Sequence, residues 1–576
     1  MSLLKDVDVD WAEALLVLCG VAAAFGFSRV GEKWFRKFEM WGGALARRRG
    51  LAVLAVGVLA LVLRAAVLPI RPIPQPTIHD EFSYLLAADT FAHGRLTNPT
   101  HPMWVHFESI HIIQRPSYMS MFYPAQGMVM AVGQAVSGHP FWGVWLSLGL
   151  MCAALCWMLQ GWMPVGWAFL GGLLCVLQLA VFSYWANDYY GGAVAATGGA
   201  LVLGALPRLM RNPRVGHAFL LGLGLAILGN SRPYEGSFLG LAVAVALTAK
   251  LIGKNGPPLK VTLARVIVPL LLVLIPTLCG MGYYFWRVTG SPLRIPYFVN
   301  VATYKPIPYF PWQSVRPIPQ YHHQAIKDHY LVWELRQYQL AREHAARFAL
   351  NKTKIIVRFF FGPLLMMPVV MLLFATRWRF FAGLARPGKT RSLLLIFAFC
   401  VLGTELTVVF FPHYLAPTAA ALYALLMMAM RHLRTWNWRG QPVGRQLVRA
   451  VPVMAAAIFL LHTTGLAFMR RRFVPPPDFG RAAILGQLKS NSGGQLVIVH
   501  YDPSHDSDNE WVYNDADIDA AKVVWARDMG PIANEELIHY FHQRRVWLLL
   551  ADQSPSRLLP YPDADGNAAA FSTAKP

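Results

Sequence analysis

The residues with most chemistry to offer open a stretch that reads "PTIHDEFSYLLAADTFAHG", residues 76–94. Two adjacent acids, Asp80 and Glu81, follow closely on an apolar run, Leu51–Leu68, long enough to cross a bilayer. Part of their placement has a local explanation. Thr77 followed three residues later by Asp80 resembles a capping box, and an acid in a first helical turn gains about 0.3–1 kcal/mol from the helix macrodipole. A helix over residues 80–92 then sets Phe82, Leu85, Leu86 and Phe91 towards the bilayer surface. This explains one acid, but not two, nor His79 and Tyr84 beside them. The functional reading is that the helix presents a carboxylate at the outer leaflet, where it takes a proton from a hydroxyl nucleophile, a contribution of about 10²–10⁴ in rate.

A second acid, Asp188, stands in "FSYWANDYYGG", at the outer mouth of another apolar run and between aromatic residues. Alone it reads as a first-turn acid in an interfacial aromatic belt. Candidate cations for an anionic ligand are Arg232 in "NSRPYEG", His413 in "FFPHYLAP", Arg115 in "IIQRPSY" and Lys305 in "TYKPIPYF". Arginine binds phosphate through its planar fork and lysine as a point charge, although each cation taken singly also reads as an interfacial anchor.

The elements that must hold these residues follow from composition. The chain has 576 residues, 55% hydrophobic and 14% charged, with apolar runs long enough for the hydrocarbon core recurring along it. Candidate spans fall at 11–28, 50–69, 140–160, 164–184, 188–207, 216–230, 235–252, 261–285, 353–375, 392–411, 412–430 and 449–467. The expected class is a mainly α, multi-pass transmembrane bundle of about 12 spans, with outer juxtamembrane helices and a small C-terminal α/β domain. Transmembrane β-barrels, with weaker alternating segments of about 10 residues, do not fit. The net charge of +22 does not signal nucleic acid, because residues 475–576 carry 14 acids and 8 Lys/Arg while the membrane part is strongly basic. Much of that charge lies in short segments between apolar runs, including Arg29–Arg49 and 377–391, which the positive-inside rule assigns to the cytoplasm. The loops 70–139 and 286–352, the Pro412 turn and the tail then lie outside.

The organisation expected is an extra span and basic cytoplasmic segment over 1–49, a membrane domain over 50–469 and a soluble α/β unit over 475–576 behind a "PPP" linker. No cleavable signal peptide is expected, since acids rather than a basic segment precede the first apolar run. In the tail, "QLVIVH" and "RVWLLL" read as buried strands, with helices over 516–527 and 534–544, the second capped by Asn534. The acidic stretch "YDPSHDSDNEWVYNDADID" reads as a solvated loop. The Pro-rich, aromatic stretch 290–320 reads as an irregular functional loop, followed by helical patterns over 321–350. The six cysteines lie in apolar stretches without metal-type spacing, so disulfides and cysteine-metal chemistry are not expected. No cofactor is required by the sequence. A divalent metal on His79, Asp80 and Glu81 is conceivable, but a three-residue run rarely supplies a coordination sphere from one side.

Together, "HDEFSY", "WANDYYGG" and "PHYLAP" resemble the GT-C membrane glycosyltransferases, and most of all the polyprenyl-phosphate-sugar-dependent type that includes protein O-mannosyltransferases and lipid A aminoarabinose transferases. The resemblance covers roughly residues 50–467. It implies inverting transfer of one sugar from a polyprenyl-phosphate donor to a protein, lipid or glycan acceptor, in a bacterial inner membrane with the site and tail facing the periplasm. Asp80 resembles the catalytic acid of that family and Asp188 its second acid, with Glu81 beside them. Tyr414 and Pro417 match the late turn, but His413 stands where many relatives have arginine, which leaves Arg232 as the charge for the donor phosphate. His79, Tyr84, Arg115 and Lys305 complete the expected binding set; membrane lipids are the other partner. The competing class is a transporter or flippase of lipid-linked saccharides, which calls for charges along a path within the spans.

Overall fold

The computed structural model describes residues 7–27, 29–253, 256–376, 388–472 and 480–561. Among the described residues seven helices are long and apolar enough to cross a membrane: Arg49–Ala66, Phe141–Trp162, Ala193–Arg211, Pro233–Ile252, Leu259–Thr289, Pro412–Leu433 and Val443–Leu466. The expected spans 11–28, 164–184 and 216–230 are shorter apolar helices, Trp11–Gly26, Val165–Leu179 and Val215–Gly229, and 392–411 is the 17-residue helix Lys389–Glu405. The chain is an integral membrane protein of mainly helical fold; among the described residues seven helices, or eight if a bent pair is one span, have the length and composition of a membrane span, with shorter apolar helices at four more of the expected positions.

The eighth depends on a break. The expected span 353–375 is instead two helices, Ala345–Phe360 and Gly362–Thr376, bent by 106°. Gly362 adopts φ 55° in the left-handed region, a conformation glycine takes without penalty, and Pro363 follows it. Lys352, buried in the first half, donates to the carbonyls of Thr404 at 3.0 Å, Glu405 at 3.1 Å and Thr407 at 2.6 Å, and so anchors the bend to the segment leading into the Pro412 turn.

Small residues let the central helices approach closely, as membrane packing favours. Helix Phe141–Trp162 packs against both Arg49–Ala66 and Ala193–Arg211. The latter also rests on the Pro412–Thr418 turn, where a Cβ at Gly199 would fall 1.8 Å from the Pro417 carbonyl oxygen.

The helix expected on the bilayer surface is His79–Ala92, and its position corrects that expectation. Residues 81–88 are all buried, because the C-terminal unit covers the side away from the bundle. Phe82 stacks on Tyr513 with centroids 4.7 Å apart, and Leu86 packs with Phe107, Val524 and Leu537. The Pro-rich stretch also contains a regular element, Pro296–Tyr304, started by a proline at its first position, where the missing N–H costs nothing.

The C-terminal unit carries a four-stranded sheet in the order Val523–Arg527, Gln495–His500, Arg545–Leu550, Arg557–Pro560, with the first three parallel and the last antiparallel. The two expected strands appear with the expected bounds. The helix expected over 516–527 is a turn followed by a strand. "VVWAR" opens on two β-branched valines and is buried along its whole length, as a parallel strand covered on both faces requires. The second helix is Pro531–Tyr540, and Asn534 lies inside it, where it accepts from Met529 N at 3.0 Å and donates to Asp528 at 2.7 Å. The expected linker 475–477 lies outside the described residues, as does most of the basic cluster 377–391. The acidic stretch is partly clamped rather than solvated. Arg527 donates to Glu510 at 2.7 Å and to the Glu108 carbonyl at 2.6 Å, while Glu510 N donates to the Thr77 carbonyl at 3.1 Å.

Candidate active site

The two adjacent acids have separate tasks. Helix His79–Ala92 starts after Ile78, and Glu81 reaches back to accept from Thr77 N at 2.8 Å and Ile78 N at 3.3 Å. Glu81 is therefore the capping acid, in place of the expected Thr77–Asp80 pairing, because it occupies the third helical position. Asp80 is left to point elsewhere, and its Oδ1 lies 2.7 Å from His111 Nδ1. Burial presses the Asp80 carboxyl up, but His111, His79 and His413 together outweigh it and hold the group below the usual carboxylate range.

Asp188 lies in the irregular segment between Leu179 and Ala193, not in a first helical turn. Burial and the Glu81 carboxylate, to which it is hydrogen-bonded, push its carboxyl well above the ordinary range. The acid paired with Asp188 is thus Glu81 and not Asp80, which is surrounded by imidazoles. Tyr189 N donates to Asp188 Oδ1 at 2.7 Å, and Tyr190 also bonds its carboxyl. Arg64, fully buried, braces the segment through a 3.2 Å bond from Nε to the Ala186 carbonyl.

The cationic side is built from two helix starts. Arg232 immediately precedes helix Pro233–Ile252, and its guanidinium lies 4.6 Å over the Tyr414 ring. His413 interacts electrostatically with both Arg232 and Asp80, and its Nδ1 lies 2.9 Å from Tyr184 Oη. Burial pushes the Tyr84 phenol up to about 12, with Arg232 opposing and Asp80 and Glu235 reinforcing it. Asp80, Tyr84, Arg232, His413 and Tyr414 therefore share one neighbourhood, joined through Tyr190 to Asp188. Lys305 is spoken for by a buried 2.8 Å ion pair with Glu334. Arg115 is not brought to this neighbourhood; it is exposed and lies 4.4 Å over Trp104.

His79 turns away from the expected substrate role into a cluster with His111 and His329, with centroid separations of 4.7, 4.7 and 5.8 Å. The ligand atoms of these three imidazoles all lie within 4.8 Å of one another. Burial first, and neighbouring imidazoles second, push His79 and His329 below their usual range. The partners of His79 thus come from distant segments rather than from its own tripeptide. His111, His329, Glu235 and Tyr190 were not singled out by sequence; Glu235 alone carried a signal, as an acid one turn beyond Arg232.

No family model matches the sequence, and no curated protein matches it. Solved structures do. The fold is a membrane helical bundle with helix His79–Ala92 packed beneath a strand-containing C-terminal unit. The similarity is to ArnT from Cupriavidus metallidurans in the apo state, with a TM-score of 0.51, 15% identity, and coverage of 86% of this chain and 92% of that one. The same protein bound to undecaprenyl phosphate gives a TM-score of 0.49 at 13% identity over the same shares. The Archaeoglobus fulgidus oligosaccharyltransferase tethered with an acceptor peptide gives 0.41 at 13%, over 86% of this chain and 69% of that one. At such identities the likeness to ArnT concerns the fold.

Proposed function

We propose that this protein is a membrane glycosyltransferase that moves a sugar from a polyprenyl-phosphate donor to a hydroxyl-bearing acceptor on the outer face, with inversion. The observation that carries the reading is that a carboxylate and a guanidinium both reach His413–Tyr414: Asp80 acts electrostatically on both residues, and Arg232 stacks on Tyr414 and acts on His413. An inverting displacement needs base and leaving-group charge on opposite sides of one carbon. The acceptor oxygen bonds to the anomeric carbon, the bond from that carbon to the phosphate oxygen breaks with its electron pair going to phosphate, and the hydroxyl proton passes to Asp80. A carboxylate of low basicity suffices, because the attacking hydroxyl becomes strongly acidic once its bond to the cationic anomeric carbon is forming. Arg232 then stabilises the departing polyprenyl phosphate, with Tyr84 and Tyr414 lining the approach.

Support also comes from the gathering of ionisable groups near the ends of the spans, and from the ArnT-like fold. The test compares lipid-linked sugars and surface glycans in a deletion strain complemented with wild type or Asp80→Asn. Accumulation of one lipid-linked sugar with loss of its acceptor product, restored by wild type alone, is expected. Unchanged glycans in the deletion strain, or full restoration by Asp80→Asn, rule the proposal out.

A further inference from the structure

We infer that His79, His111 and His329 form a binding site for a zinc-type divalent metal ion, set behind Asp80 and closed by the C-terminal unit. The hydrogen bonds carry the inference. His111 Nδ1 lies 2.7 Å from Asp80 Oδ1, His79 Nδ1 lies 3.4 Å from the Ser507 carbonyl, and His329 Nδ1 lies 3.4 Å from Ser507 Oγ. Each ring therefore turns one nitrogen to an oxygen partner and leaves Nε2 over. Metal-ligating histidines show this division, in which the outer nitrogen is held by a carboxylate, carbonyl or hydroxyl and the inner lone pair is aimed at the ion.

A second observation is independent of that pattern. His329 is 3% exposed, and its Nε2 is buried with no hydrogen-bond partner. An orphaned polar atom in a protein interior is unfavourable, and an ion in the cluster offsets that penalty. Three neutral imidazoles suit zinc, and with it cobalt, nickel and copper, whereas magnesium and calcium prefer oxygen ligands. Zinc–nitrogen bonds of about 2.0–2.1 Å place tetrahedral ligands about 3.4 Å apart. One ring nitrogen from each histidine lies within 4.8 Å of the other two, so the three have to draw in by about 1 Å to close on the ion. The fourth position falls to water or to the Asp508 carboxylate, which interacts electrostatically with His79.

The ligands come from the start of helix His79–Ala92, the first outer loop and the segment His329–Glu334, and Ser507 comes from the C-terminal unit. An ion here ties four distant stretches of chain together. It also fixes the His111 tautomer: with Nε2 on the metal, Nδ1 carries the proton and donates permanently to Asp80. Metal binding does not depend on the chain being a glycosyltransferase, so the two proposals fail separately.

The test uses the full-length protein in detergent, stripped with EDTA and exposed to Zn²⁺ or Co²⁺. The expected result is about one zinc retained per chain, an intense visible Co²⁺ spectrum of tetrahedral type, and a thermal midpoint raised by zinc. His329→Ala and His79→Ala should lose all three, while His432→Ala, at an exposed site elsewhere, should keep them. Wild type that retains no zinc above background, or His329→Ala that retains as much as wild type, overturns the proposal. Should the variants fail to fold, the Co²⁺ spectrum of wild type decides alone: a weak octahedral spectrum overturns it.

Discussion

His111 Nδ1 lies 2.7 Å from Asp80 Oδ1, and this bond separates the tasks of two neighbouring acids. Asp80 is ionised and surrounded by imidazoles, while Glu81 is committed to the helix start and to Asp188. Only Asp80 is left with an oxygen for an incoming hydroxyl.

Asp80→Asn keeps the shape and leaves an amide oxygen for His111, so the fold should survive while sugar transfer falls by about 10²–10⁴. A pH effect accompanies this. The Asp80 pKa is lower in the folded than in the unfolded chain, so its stabilising interactions are fully present above the ordinary carboxylate range and are lost as pH falls through the folded value. Thermal unfolding in detergent should show wild type losing stability on acidification more steeply than Asp80→Asn. Parallel curves for the two proteins speak against the ionised, imidazole-bound carboxylate.

The Glu81–Asp188 pair should give the opposite slope. The Asp188 pKa is raised on folding, so its contribution is fully present below the ordinary carboxylate range and is lost as pH rises through the folded value, leaving two buried carboxylates face to face. Wild type should therefore lose stability towards alkaline pH, and Asp188→Asn should flatten that limb. Glu81→Gln keeps an amide oxygen for the helix start and should reduce transfer less than Asp80→Asn does. Glu81→Gln that silences the enzyme at unchanged stability would instead assign Glu81 the role of base.

Much of the membrane architecture was legible in the sequence, because a hydrocarbon-spanning helix has to carry its apolar residues in one run. The strands "QLVIVH" and "RVWLLL" were legible for a similar reason: each is a short apolar run between turn signals, although only the first is buried along most of its length. The helix at 516–527 was misread because the pairing of "VVWAR" with Gln495–His500, and the burial that goes with it, depend on residues distant in the chain. The same limit hid His111 and His329. Each stands among other histidines of its own segment with nothing local to single it out, and only the fold brings it to His79. Local spacing also chose the wrong acid for the cap, since Thr77 lies before the helix proper and the third helical position belongs to Glu81.

Arg232→Lys should be far from conservative. Lysine keeps the charge but loses the planar fork stacked 4.6 Å over Tyr414, and with it two-point contact to a phosphate. Arg232→Gln should cost about 10²–10³ in transfer, the usual effect of removing one donor from a developing anion. Donor titrations should show weaker saturation for both variants, and donor affinity equal to wild type would remove Arg232 from the phosphate site.

Orientation is open to a direct experiment. With the basic connections inside, residues from about 480 onward lie on the outer side together with Asp80, because the C-terminal unit packs on the helix that carries it. A periplasm-active reporter fused within the tail should be active and a cytoplasm-active one silent. The reverse pattern would turn the proposed site towards the cytoplasm.

Gly199 offers a test that touches no charged group. A Cβ there would fall 1.8 Å from the Pro417 carbonyl oxygen, in the turn that presents His413 and Tyr414. Backbone cannot yield as a flexible side chain does, so Gly199→Ala must push the turn away from helix Ala193–Arg211. Overpacking of this kind costs about 1–3 kcal/mol. The displaced turn should also lower transfer by weakening donor binding, with both losses in one variant. Gly216→Ala, in a helix where an added Cβ meets nothing within 4 Å, should be neutral or stabilising by up to about 1 kcal/mol. If Gly199→Ala behaved like Gly216→Ala in both thermal unfolding and donor titration, the close seating of the Pro412 turn on this helix would not be what positions His413 and Tyr414.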